Sequence, residues 1–158
     1  MSSQLVNQIP SGKDPCLASN PDENAVKSSV PEMVWSHVRF MLNRNHMRIQ
    51  GVGNTVCFRG AGLKNVRIAI DGDENEIWIE PGANICNLTI DIKGSRSRLV
   101  VGKDVFIGGG YWSIEDGCSA LLIGQGTSML GTHLVVSETG SQIVIGEDSL
   151  MSFDINLR

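Results

Sequence analysis

From residue 77 onward, apolar and polar positions recur with a fixed step. Rows beginning at Ile77, Leu99, Leu121 and Ile143 stand 22 residues apart. A constant step of this size marks a stacked, repetitive architecture. The first position of each row is aliphatic. So are the third (Ile79, Val101, Ile123, Ile145) and the ninth (Ile85, Ile107, Met129, Met151). Positions fourteen and sixteen hold Ile90/Ile92, Trp112/Ile114 and Leu134/Val136. Within each run the apolar residues alternate with polar ones, which is strand periodicity. Three runs per row predict three strands per coil, with sides of 6, 7 and 9 residues.

An earlier coil fits through Val56, Phe58, Leu63, Val66, Ile68 and Ile70, one residue short, since Phe58 to Ile79 is 21. The stretch "MRIQGVGN" at 47–54 ends a still earlier coil, with Ile49 in the place of Ile70 and Asn54 in that of Asn75. The pattern therefore predicts an all-β chain, a parallel β-helix of about five coils over 46–158, with the last coil incomplete. No coil buries its own apolar faces, so several must stack. Glycine after the inward aliphatic (Gly102, Gly124, Gly146, with Glu80 one coil earlier) predicts a tight corner of positive φ.

Ahead of the repeats the pattern changes. Residues 1–28 are rich in Ser, Asn, Pro, Asp and Lys without periodicity and read as a mobile arm. The region 29–45 reads as one N-terminal α-helix. Ser29 and Glu32 have capping-box spacing, Pro31 suits a first turn, and Val34, Val38, Met41 and Leu42 share a face.

Charge and composition narrow the function classes. With 13 basic and 17 acidic residues the net charge is −4, which argues against a sequence-independent grip on nucleic acid. No apolar run has the length of a membrane span, and the N-terminus has no secretory pattern. Cys16, Cys57, Cys86 and Cys118 include no C-x-x-C pair, so no zinc site is expected, and four free thiols point to a reducing cytoplasm.

The segments "VGKDVFI", "IGQGTSM" and "IGEDSLM" share an aliphatic, a glycine, and a small or β-branched residue (Val105, Thr127, Ser149) two before the next aliphatic. This resembles the hexapeptide-repeat acyltransferases, over about residues 47–158. The resemblance implies a left-handed β-helix of triangular section. The family coil is three hexapeptides, whereas this coil is longer, and right-handed β-helices also run near its length; the repeated Ile/Val-Gly corner favours the left-handed form. The ending "IGEDSLMSFDINLR" resembles more narrowly the capsule and O-antigen sugar O-acetyltransferases. In these a similar strand precedes an Asp/Ser-rich turn with the catalytic histidine, which here would fall after Arg158. The resemblance thus implies acetyl transfer from acetyl-CoA to a sugar hydroxyl in surface polysaccharide synthesis, with this chain lacking the catalytic histidine and inactive by itself. The alternative is a non-catalytic β-helix module for carbohydrate binding or assembly.

Several side chains are candidates for chemistry. His133 is the only histidine in the regular coils and could serve as a general base, although an exposed strand histidine is the simpler reading. Asp154, Asn156 and Arg158 occupy columns that are apolar in earlier coils, while Ile155 and Leu157 take the apolar phase. A slip by one turns these polar residues outward, where the resemblance makes them a substrate-binding ridge. "GGGYW" at 108–112 lacks the Lys-Ser/Thr of a phosphate loop; its glycines read as relief beside the large inward Trp112. Trp78, Val100, Leu122 and Val144 form an outward apolar ladder that needs a cover. Family trimers suggest a homotrimer interface there; the N-terminal helix is the other candidate cover.

Overall fold

The computed structural model describes residues 43–58, 60–152 and 156–157. The expected arm, nearly all of the expected helix, Asp154 and Arg158 lie outside the described residues. Thirteen strands follow in chain order. They are β1 (His46–Gln50), β2 (Thr55–Phe58), β3 (Gly62–Lys64), β4 (Arg67–Asp71), β5 (Glu76–Ile79), β6 (Asn84–Lys93) and β7 (Arg98–Val101). Then come β8 (Phe106–Ile114), β9 (Ala120–Ile123), β10 (Ser128–Val136), β11 (Gln142–Ile145), β12 (Leu150–Ser152) and β13 (Asn156–Leu157).

The strands make two parallel sheets, one ordered β2-β5-β7-β9-β11 and one β1-β4-β6-β8-β10-β12, with β3 on β6 and β13 on β10. This is a parallel β-solenoid of about five turns. Registers follow the sequence period. Ile77 pairs Leu99, Ile85 pairs Ile107, and Trp112 pairs Leu134, while the first steps, Ile49 to Ile70 and Phe58 to Ile79, are one residue shorter. Where three strands per coil are expected, the regular coils have two. The second and third sides belong to one long strand bent at Asn87 in β6 and at Gly109–Gly110 in β8. Left-handed residues turn the chain there without ending the hydrogen-bond ladder.

The core is a column of stacked aliphatics. Ile77, Ile85, Ile92, Leu99, Val101, Ile107, Met129 and Leu134 are fully buried, and Trp112 is the largest side chain among them. Burying each such side chain contributes about 1.5–3 kcal/mol. At the first coil Met47 and Ile49 are 39% and 41% exposed, because no described coil lies beyond them.

Each coil turns three times, and each turn carries a left-handed residue in register with those of its neighbours. The first corner stacks Gly60, Gly82, Asp104, Gly126 and Asp148; the second Arg44, Asn65, Asn87, Gly109 and Gly131; the third Gly53, Glu74, Arg96, Cys118 and Gly140. Gly, Asn and Asp tolerate this conformation best. The expected positive φ at Gly102, Gly124 and Gly146 is not found. The first two of these glycines answer a close approach instead. A Cβ on Gly124 would lie 2.5 Å from Glu147 N, and one on Gly102 2.7 Å from Gln125 N. A Cβ on Gly110 would likewise run into Thr132 O, one on Gly108 would run into the side chain of Leu130, and one on Gly109 would meet only Asn87 O at 3.8 Å, so none of the three is set by the bulk of Trp112.

Several buried polar residues are satisfied between coils. Asn75 accepts from Ser97 N at 2.9 Å and donates to Gly94 O at 3.0 Å; Asn45 accepts from Val66 N and donates to Leu63 O. Ser97 and Ser119 donate to the carbonyls of Asp116 and Glu138 in the coils that follow them. At the same corner Asp116 accepts from Thr139 Oγ1 and from Gly117 N, which hold its carboxyl below its ordinary pKa. Cys57 and Cys86 are free thiols, whereas Cys118 is disulfide-bonded, which corrects the expectation of four free thiols.

Substitutions at the corners separate these effects. A Cβ on Gly140 would meet nothing within 4 Å, so Gly140→Ala costs only the left-handed penalty of about 1–2 kcal/mol. Gly124→Ala drives a Cβ into backbone and costs more, an order that urea denaturation of the two variants checks. Thr139→Val raises the Asp116 pKa, read by NMR titration. Because the folded pKa is the lower one, the native hydrogen bonds stabilise above the unfolded pKa, and that contribution fades as pH falls through the folded value. The variant therefore loses less stability on acidification than the native chain.

Candidate functional site

One outward face of the solenoid concentrates polar and aromatic side chains. Parallel pairing stacks His46, Arg67, Thr89, Tyr111, His133 and Asn156 in a single ladder across β1, β4, β6, β8, β10 and β13. Rungs in such a ladder stand roughly 4.8 Å apart. Beside it runs a second column, Arg48, Ala69, Asp91, Ser113 and Val135. Strand alternation puts both columns outside, because the residues between them (Ile68, Ile90, Trp112, Leu134) fill the core.

The two columns are cross-linked. Tyr111 OH donates to Asp91 Oδ2 at 3.4 Å, and Lys93 Nζ lies 3.6 Å from the same oxygen. Ser113 is fully buried although it lies in the outward phase, and its Oγ has no hydrogen-bond partner among the described residues. Under the face, Trp112 Nε1 donates to Thr132 Oγ1 at 3.3 Å, which satisfies the one polar atom of the largest core side chain. At the first coils the face dips into a cavity of about 530 Å³, with Arg48, Arg67, Thr89 and Asp91 on its walls and Met47, Ala69 and Ile90 among its lining.

The candidates from sequence distribute as follows. His133 is exposed on β10, between Tyr111 and Asn156 in the ladder. Asn156 is exposed and Leu157 packs against the core. The slip that turns them is visible in the pairing: β12 meets β10 with Ser128 opposite Leu150, a step of 22, whereas β13 meets it with His133 opposite Asn156, a step of 23. Thus Asn156 and His133 share one ladder, an adjacency that the row alignment hides because the extra residue shifts the column. Among the described residues no group of three His, Cys, Asp or Glu could hold a metal ion.

A different face carries the apolar ladder. Trp78, Val100 and Leu122 are half-buried and Val144 is 46% exposed, and Cys57 extends the ladder by one rung. Across the first corner, Phe106 and Leu150 are 40% and 78% exposed. They stand two rungs apart in one outward column, with Ser128 between them. Sequence reasoning alone passes over Arg48 and Arg67 as site residues. Their signal lies in the outward phase of the first two coils, but the first coil is degenerate and its register shorter.

Fold and faces together define a class, the parallel β-solenoid with one polar and one apolar flank. No protein-family model matches the sequence, and no curated protein matches it. Among solved structures the chain is similar to the crystal structure of the polySia specific acetyltransferase NeuO, with a TM-score of 0.56 and 18% identity. The similarity covers 70% of this chain and 50% of that one, so the chain spans about half the length of the solved structure it matches. At this identity the likeness establishes the shared fold.

Thr132→Val, nearly isosteric, would leave Trp112 Nε1 buried without an acceptor. The expected cost is about 1–3 kcal/mol in urea denaturation, while His133→Ala, on the exposed side of the same strand, stays within about 0.5 kcal/mol of native.

Proposed function

We propose that this chain belongs to a sugar O-acetyltransferase that moves an acetyl group from acetyl-CoA to a sugar hydroxyl in surface polysaccharide synthesis. The observation that carries the reading is the solenoid itself, whose fold is that of a polySia specific acetyltransferase. The hexapeptide-like corners and the "SFDINLR" phrase support it. In this reaction a histidine base takes the hydroxyl proton as the oxygen attacks the thioester carbonyl carbon. The C–S bond then breaks, and the CoA sulfur leaves and takes up a proton. Backbone N–H groups hold the oxyanion meanwhile. The resemblance gives the base to a histidine following the phrase rather than to His133. It gives Asp154, Asn156 and Arg158 to the acceptor, of which exposed Asn156 beside His133 is the described member. Acetyl-CoA is an intracellular thioester, which supports a cytoplasmic site of action.

The assembly in this reading is a homotrimer closed through Trp78, Val100, Leu122 and Val144. A stripe of four in-register apolar side chains left half-covered supports an interface there. Sedimentation and calorimetry on one sample test both parts. The expected outcome is a trimer that binds acetyl-CoA, and a Leu122→Glu variant that sediments as a monomer. A trimer with no affinity for acetyl-CoA would leave a non-catalytic carbohydrate-binding or assembly module instead.

A further inference from the structure

We infer that the open end of the solenoid at the first coil is the docking surface for residues 31–42 of the same chain, which close it as an amphipathic helix and keep a second copy from stacking on it. This does not depend on the acetyltransferase reading.

The end is unfinished in two ways. β1 is the edge strand of its sheet, and such an edge can template another chain. The inward side chains are also uncovered. Met47 and Ile49 stand in register with Ile68 and Ile70, which are buried, yet both are exposed. Val52, in the bend after β1, is exposed as well. Three of the six exposed large apolar side chains among the described residues thus belong to one coil, which makes a patch rather than scattered surface residues.

The occupant follows from where the chain enters. Asn43 O accepts from Asn65 N at 2.8 Å, and the buried Asn45 amide accepts from Val66 N and donates to Leu63 O. Residues 43–45 are therefore anchored on the second coil. Arg44, with a left-handed φ of 59°, turns the chain there, and a left-handed residue is a common way for a helix to end. The segment just ahead of this anchor carries what the end lacks. Val34, Val38, Met41 and Leu42 recur at helical spacing with Trp35 bordering their face, while Ser36 and Arg39 fall opposite. Twelve helical residues measure about 18 Å and the five residues of β1 about 17 Å, so the lengths match. Laid over Met47 and Ile49, a helix covers the mouth of the core and offers no strand edge of its own, a common means of blunting an exposed sheet end. Attachment also decides the competition. A tethered segment meets the end at an effective concentration of about millimolar order, above that of a free second copy.

NMR on the full chain, with sedimentation of the same samples, tests this. NOEs should join the methyl groups of Val34, Val38 and Met41 to those of Met47 and Ile49, and the β1 amides that bond to β4 should be protected from exchange at every protein concentration. Val38→Asp and Met41→Asp should each speed that exchange about tenfold or more and yield species larger than the native assembly. Ser36→Glu, on the opposite face, should change neither. Amides of β6 and β8 should stay protected in all three variants, which separates fraying of β1 from unfolding. Leu122→Glu should also leave β1 protected, because the apolar ladder belongs to the other sheet. The inference is overturned by absence of the NOEs, by β1 amides that exchange freely in the native chain, or by aspartate variants that exchange as the native chain does. Protection that appears only as concentration rises would overturn it too, by giving the end to a second copy.

Discussion

Everything in this molecule depends on backbone hydrogen bonds that run from one coil to the next. A coil has no internal partner for most of its strand N–H and C=O groups; the neighbouring coil supplies them. This is why registers are so uniform, with side chains meeting their equivalents one period later from Ile77 to Ile145. A slip by one residue would expose an entire aliphatic column. The core is consequently a set of vertical stacks rather than a jigsaw of distant elements, and its width is fixed by three short sides.

The corners are where that regularity is costly. At least three left-handed residues per coil must be stacked without clashes, and the chain meets this with Gly, Asn and Asp at most positions and with ordinary side chains at Arg44, Glu74, Arg96 and Cys118. Between the corners, glycines such as Gly102 and Gly124 let adjacent turns approach within van der Waals distance of each other's backbone. Asn75, Ser97 and Ser119 then tie successive turns together by side-chain hydrogen bonds. Corner chemistry thus preserves the ladder on the flat sides, and the flat sides are free to differ in surface character.

That freedom separates the faces. One is apolar along a whole column from Cys57 to Val144, and another carries His46, Arg67, Thr89, Tyr111, His133 and Asn156. Because outward positions do not affect the core, their chemistry can be set independently of stability. Repetition aligns them into stripes.

The sequence by itself determined the period, the inward columns and the one-residue-short early coils, since each is a one-dimensional pattern of aliphatic side chains. It also determined the slip at Asn156 and Leu157, because the apolar phase changes there. Tertiary structure decided what depends on neighbouring backbones. It showed that Gly102 and Gly124 answer steric approach rather than positive φ, and that the second and third sides share one bent strand. It also placed His133 beside Asn156 and brought Arg48 and Arg67 to one cavity. Those relations join residues about a coil apart, and the register that joins them, 21, 22 or 23 residues, is fixed only when the coils actually pair.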